Sequence, residues 1–230
     1  MMGLGNLNAM VFTVTTWALP IIFAVTLHEA AHGYVALRSG DDTALRAGRV
    51  SLNPLNHVDP MGTIVLPLLL LASQTGFLFG YAKPVPVNFG RLRQPRRDMV
   101  FVALAGPGMN VLLAIVSALL FYGVDLIPGV TAEWVARNLV NSMSINVVLC
   151  VFNLLPLPPL DGGRVAVGVL PNVLARPLAR LEPYGMMILI SLFLLSYVLV
   201  RIGSGIDLLE WLVGVPSSML YRFVLFITGH

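Results

Sequence analysis

Phe23-Ala24-Val25-Thr26-Leu27-His28-Glu29-Ala30-Ala31-His32-Gly33-Tyr34-Val35-Ala36-Leu37 places two imidazoles and a carboxylate inside an apolar run that is otherwise uncharged back to about residue 8. Charged side chains at the centre of a bilayer cost roughly 2.5 to 3.5 kcal/mol each on insertion scales for Asp, Lys and Arg, so ionisable groups within a span point to a function. On a helix, residues four apart lie about 40° apart around the axis. His28 and His32 can therefore offer nitrogens to one Zn2+, with Glu29 reaching into the same cleft as a general base. With 4 His in 230 residues and as few Glu, chance alone would produce His-Glu-x-x-His in roughly one chain in a thousand. The plainer alternative, two core histidines bonded to backbone carbonyls, leaves a buried Glu29 unexplained.

The rest of the composition agrees with a membrane setting. Hydrophobic residues make up 57% of the chain and charged ones 11%, with a mean hydropathy of +0.85, whereas soluble domains carry about 25% charged residues. The fold class expected is an all-α polytopic membrane protein, a transmembrane helix bundle with a short membrane-associated β or re-entrant region. A single membrane-embedded domain should occupy residues 1–230, with its core at about 8–163 and C-terminal helices at about 164–230. The net charge of +3 comes from arginines in loops, which speaks for membrane orientation and against nucleic acid as a partner. The single cysteine, Cys150, allows no intrachain disulfide and sits in an apolar run. Residues 1–27 carry no charged side chain, so a leader peptide with a basic start is not expected.

Apolar stretches run at about 8–37, 63–80, 99–122, 138–158, 184–200 and 206–228. A helix needs about 20 residues to cross, which leaves 63–80 marginal. Arginine and lysine cluster in 38–61, 81–98 and 161–183, while 123–137 holds Arg137 against Asp125 and Glu133. The positive-inside rule makes the first three loops cytoplasmic and the last external. The 63–80 stretch would then start and finish on one side, and Gly62, Pro67 and Gly76 interrupt it, so a re-entrant hairpin is expected. Residues 46–53 and 83–88 read as extended segments. Pro84 and Pro86 suit only an edge, where a substrate strand could add, or a plain connecting loop. Asp207, Glu210, Pro216 and Arg222 break up the last stretch, leaving an interfacial helix and a final crossing both open.

A catalytic zinc takes three protein ligands and keeps one open position. His57 and His230 are the remaining histidines, and Asp161 is the notable carboxylate. The loop count puts Asp161 at the inner end of a helix running in the same sense as the first, so it can meet His28 and His32. Pro156, Pro158 and Pro159 stop that helix, and Gly162-Gly163 permits a tight turn that aims the carboxylate back. The competing role for Asp161 is to cap a short helix starting near 162.

Three motifs give the chain a family likeness: His28-Glu29-Ala30-Ala31-His32, Asn153-Leu154-Leu155-Pro156 followed by Leu160-Asp161-Gly162, and Ala105-Gly106-Pro107-Gly108-Met109-Asn110. Together they resemble the site-2 proteases, zinc metalloproteases that cut membrane-anchored regulators. The likeness covers residues 28–163, and Tyr81-Ala82-Lys83-Pro84-Val85-Pro86-Val87-Asn88 resembles the compact branch without PDZ or CBS domains. It implies one Zn2+ per chain held by His28, His32 and Asp161, and Glu29 as the base. It further implies Asn153 on the substrate carbonyl or oxyanion, with a polar contact to a neighbouring helix as the plainer alternative. Asn110 divides between substrate positioning and polar contact between helices. The partners so implied are membrane-anchored protein substrates and the lipid bilayer. The setting expected is multi-pass in a prokaryotic cell membrane, with the site toward the cytoplasm. A membrane metal transporter and a catalytically silent membrane scaffold are the rival classes; Glu29→Gln separates them, since only a protease must lose its activity with zinc still bound.

Overall fold

The computed structural model describes residues 4–59, 61, 65 and 83–230. The hairpin expected at 63–80 lies outside the described residues except for residue 65. Seven helices organise the described chain: α1 (Leu4–Arg38), α2 (Pro95–Phe121), α3 (Val130–Asn153), α4 (Asp161–Val169), α5 (Asn172–Ala179), α6 (Gly185–Arg201) and α7 (Val215–Thr228). A π-turn at Glu210–Gly214 leads into α7. Five stretches are long and apolar enough to cross a membrane: Asn8–Arg38, Pro95–Phe121, Thr131–Asn153, Asn172–Arg201 and Glu210–Thr228. No strand forms among the described residues. The protein is an all-α polytopic membrane protein.

Large apolar side chains cover the outer faces; Phe23 is 55% exposed, Leu119 52% and Leu194 61%. In a bilayer such residues meet acyl chains, so apolarity does not by itself drive the helices together. Small and polar residues do that work instead. Ala114 and Ala118 let α2 approach Met143 and Val147 of α3 and Val224 of α7. Ser117 bonds Ser142 at 2.8 Å, Trp134 donates to the Thr15 hydroxyl at 3.0 Å, and Asn141 donates to the Thr16 carbonyl at 2.9 Å. Along α1, the hydroxyls of Thr13, Thr15 and Thr16 donate back to carbonyls of their own helix, which leaves none bare in hydrocarbon.

These pairings set the directions. α1 and α2 run antiparallel, since His28 meets Asn110 while His32 meets Val102. α3 runs back against α2, with Asn146 at Asn110 and Ser142 at Ser117. The final stretch packs through the bundle: Leu209 bonds Ser196 at its start, and the Tyr122 hydroxyl at the end of α2 donates to the Thr228 carbonyl at 2.7 Å. α7 thus lies parallel to α2.

At the other end of the bundle, the connections around α1 are tied to one another. Pro95 opens α2 at a position where a missing N–H costs nothing, and Asp98 accepts from the Gln94 amide. Asp41 is fully buried and accepts from the Thr43 amide at 3.0 Å, the Thr43 hydroxyl at 2.5 Å and the Asn88 amide at 2.7 Å. Burial pushes its pKa up, but these donors and the Arg91 charge more than offset that and hold it below the ordinary carboxylate value. The segment 83–88 is non-helical and alternates as an extended chain does, with Val85 buried and Val87 half-buried between exposed Pro84, Pro86 and Asn88. Its partners are side chains and loop carbonyls: Arg49 donates to the carbonyls of Lys83 and Pro84, and the Lys83 amide donates to the His57 carbonyl. The stretch expected to be extended at 46–53 starts within the single helical turn Thr43–Arg46 and continues as turn and bend.

Candidate metal centre

One turn of α1 separates His28 from His32, and their Nε2 atoms stand 3.0 Å apart, each 3.3 Å from Oδ2 of Asp161. All three side chains are buried. Asp161 is the first residue of α4, one past the cap position, which Leu160 occupies without a side-chain capping bond. The adjacent glycines explain how it gets there. A Cβ on Gly162 would lie 2.2 Å from the Leu154 carbonyl oxygen, and one on Gly163 would lie 2.4 Å from the Pro158 nitrogen. The first turn of α4 is therefore laid directly on the backbone that leaves α3, which turns the carboxylate toward α1.

The arrangement fits a metal ion. Ligand atoms about 2.0–2.1 Å from a tetrahedral zinc are separated by about 3.3–3.4 Å along the tetrahedron's edges, and the three atoms here stand 3.0, 3.3 and 3.3 Å apart. Their chemistry fits as well. Nδ1 of His32 lies 2.7 Å from the Val102 carbonyl, which can only accept, so the proton is on Nδ1 and the Nε2 lone pair faces inward when the ring is neutral. Nδ1 of His28 is bonded to Oδ1 of Asn110 at 2.5 Å. Asp161 Oδ2 is buried and receives no hydrogen bond. A buried carboxylate oxygen among nitrogen lone pairs is costly unless a cation joins them.

Helix α2 forms the back wall. A Cβ at Gly106 would stand 2.4 Å from Nε2 of His32 and 2.6 Å from Nε2 of His28, so only glycine lets α2 approach the rings this closely. Residues 123–196 match the family model for peptidase family M50. A protein of Bacillus subtilis (strain 168) named "Putative zinc metalloprotease YwhC" is 39% identical over 187 residues, which cover 78% of this chain and 81% of that protein. The chain belongs to peptidase family M50, the site-2 proteases. "Putative zinc metalloprotease Rip2" of Mycolicibacterium smegmatis (strain ATCC 700084 / mc(2)155) is 29% identical over 83% of this M50 chain and 70% of its own length. The protein of the same name from Mycobacterium tuberculosis (strain ATCC 25618 / H37Rv) is 30% identical over 75% and 64%. No solved structure matches.

The remaining sequence-predicted residues fall around the cluster of this M50 chain or away from it. Glu29 is half-buried, and its Oε2 accepts from the Val85 amide at 2.8 Å. Asn153 ends α3 half-buried, its amide donating to the Leu149 carbonyl at 3.0 Å; it makes no hydrogen bond to His28, His32 or Asp161. Asn110 is fully buried and faces His28. His57 bonds the Ser51 carbonyl at 2.9 Å, and His230 stacks on Tyr122 at the far end of the bundle, so neither joins the cluster. Gly106, the Val102 carbonyl and Asn146 are the contributors that sequence analysis left without a role. Gly106 was visible in the Ala105–Asn110 motif, but Val102 acts through its backbone and carries no residue-type signal.

Proposed function

We propose that this M50 chain is an intramembrane zinc endopeptidase. It holds one Zn2+ on His28, His32 and Asp161 and hydrolyses peptide bonds in or near the transmembrane segments of membrane-anchored proteins, as regulated intramembrane proteolysis requires. The observation that carries this is the convergence of two imidazole nitrogens and an unbonded carboxylate oxygen at 3.0–3.3 Å spacing within an apolar bundle. When bound there, Zn2+ would supply Lewis-acid polarisation of the scissile carbonyl and acidify a water. Glu29 follows His28 on the same helix and is steadied by the Val85 amide. It accepts a proton from the attacking water and returns it to the amide nitrogen as the C–N bond breaks. Asn153, at the end of the same loop as Asp161, is the candidate to contact the substrate carbonyl.

A helical substrate hides its carbonyls in its own hydrogen bonds and must unwind to be cut. The 83–88 segment runs beside Glu29, but Pro84 and Pro86 lack N–H groups, and the amides of Lys83, Val85 and Asn88 are engaged. A substrate strand docking there would pair chiefly with carbonyls beyond those of Lys83 and Pro84, which Arg49 holds. The arginine-rich segments 38–49, 91–97 and 164–180 flank the metal-site end of the bundle, which supports a site facing the cytoplasm.

The test uses the purified full chain in lipid nanodiscs with a membrane-anchored reporter peptide. Wild type should bind one zinc and cleave; Glu29→Gln should bind zinc and cleave nothing. Unchanged cleavage by Glu29→Gln would remove the base from the mechanism, while zinc transport without cleavage would favour the rival transporter.

A further inference from the structure

A chain of buried amides runs from the metal cluster to a backbone carbonyl of α3, and its hydrogen bonds allow only one placement of protons. Asn146 lies 1% exposed, and its Nδ2 is 2.9 Å from the Ser142 carbonyl oxygen. A carbonyl can only accept, so the NH2 end of the Asn146 amide is held on that side and its Oδ1 is turned toward α2. Asn110 Nδ2 donates to that Oδ1 at 2.8 Å, with the Ala24 carbonyl as a long second acceptor at 3.4 Å. The Oδ1 of Asn110 is thereby turned to His28, whose Nδ1, at 2.5 Å, must be the donor. The Nε2 of His28 then carries a lone pair directed at Asp161 and His32.

We propose that Asn146 is a positioning residue for the metal centre: acting through Asn110, it fixes the tautomer of His28 so that Nε2 is the metal-facing ligand atom. This rests on the assignment of His28, His32 and Asp161 as zinc ligands. Asn146 itself forms no hydrogen bond to either imidazole or to the carboxylate, and sits 36 residues from Asn110 on another helix. Without it, the Asn110 amide has only the 3.4 Å contact to Ala24 to hold its orientation. A flipped Asn110 would present NH2 to His28, move the ring proton to Nε2 and place an N–H where a lone pair is needed. The neighbouring histidine is immune to such a flip, because a backbone carbonyl cannot rotate. The two ligands are thus oriented by different devices, one rigid and one dependent on a relay.

Asn146→Ala frees the Asn110 amide and should weaken zinc binding about 10–100-fold, the range seen when groups behind a ligating histidine are removed. Asn110→Asp presents oxygen to His28 whichever way it rotates, so Asn110→Asp/Asn146→Ala should bind zinc within about threefold of Asn110→Asp alone. A merely structural role for Asn146 predicts no such rescue.

The measurements are zinc affinity by chelator competition on the full chain in nanodiscs and the visible spectrum of the Co2+-loaded protein. Nitrogen-15 histidine spectra of the zinc form should show both Nδ1 protonated and both Nε2 metal-bound. Should Asn146→Ala fail to fold, the near-isosteric Asn146→Leu, alone and combined with Asn110→Asp, repeats the contrast. Equal zinc affinity in wild type and Asn146→Ala, or a metal-bound Nδ1 on His28, overturns the relay. Absence of zinc binding by wild type would instead overturn the ligand assignment on which it stands.

Discussion

Replacing Gly106 by Ala adds one methyl group at the point where α2 touches both imidazoles. The new Cβ would lie 2.4 Å from Nε2 of His32 and 2.6 Å from Nε2 of His28, whereas ordinary contact begins near 3.4 Å. Helix α2 must retreat by about 1 Å, or the rings must turn away from Asp161. Either response damages the site, because α2 also supplies the Val102 carbonyl and the Asn110 amide that hold the two Nδ1 atoms. Overpacking of this kind costs about 1–3 kcal/mol, and a factor of ten in affinity corresponds to about 1.4 kcal/mol. Zinc affinity should therefore fall about 5- to 150-fold, read by chelator competition. Gly108→Ala, two residues along the same helix, is the control: nothing lies within 4 Å of its added Cβ, and helix propensity favours Ala by about 1 kcal/mol. It should bind zinc as wild type does and melt no lower. Gly106→Ala with unchanged affinity, or an equal loss in Gly108→Ala, would refute the close approach of α2.

Two further outcomes follow from the packing around the site. In Gly162→Ala the Cβ would meet the Leu154 carbonyl oxygen at 2.2 Å, a fixed methyl against backbone, so Asp161 should be displaced and zinc affinity lost together with about 1–3 kcal/mol of stability in thermal melts. Asp41→Ala removes the acceptor of the Asn88 amide and of two Thr43 donors, which should loosen residues 83–88 by on the order of 2 kcal/mol, measured as faster hydrogen exchange at Val85 and Asn88. Since the folded pKa of Asp41 lies below its ordinary value, this anchoring is complete above about pH 4 and is lost as pH falls through the folded value; protection of the Asn88 amide, taken relative to its intrinsic exchange rate at each pH, should fall on acidification over that range in wild type and show no such step in Asp41→Ala.

Much of this was legible in the chain because it is local. The spacing of His28 and His32 is one helical turn, so their shared face follows from backbone geometry alone. The apolar runs need only be long enough, and the broken Pro156–Pro159 segment followed by Gly162-Gly163 already announces a sharp turn bearing an acid. The direction of the last helix was not legible, since Asp207 and Glu210 look equally like the end of a crossing and the start of an interfacial helix. Their role appears only when Asp207 is seen accepting from Ser196, Leu209 and Glu210 at the start of the helical stretch leading into α7. Asn110 was similarly undecided in sequence, because an amide in a span can bond a neighbour, a ligand or a substrate with the same atoms.

By itself the amino-acid order determined that helices lie in a bilayer, that two imidazoles and a carboxylate share one of them, and that an acid-bearing turn comes late. Those properties depend on hydropathy and on residue spacing within one helix, which are set before any helix meets another. Only the tertiary structure decided that Asp161 stands 3.3 Å from both imidazoles, that Gly106 makes room for them, and that Asn110, with Asn146 bonded to it, stands at His28. Those are distances between atoms 36 to 133 residues apart in the chain, and they exist only once the helices have packed.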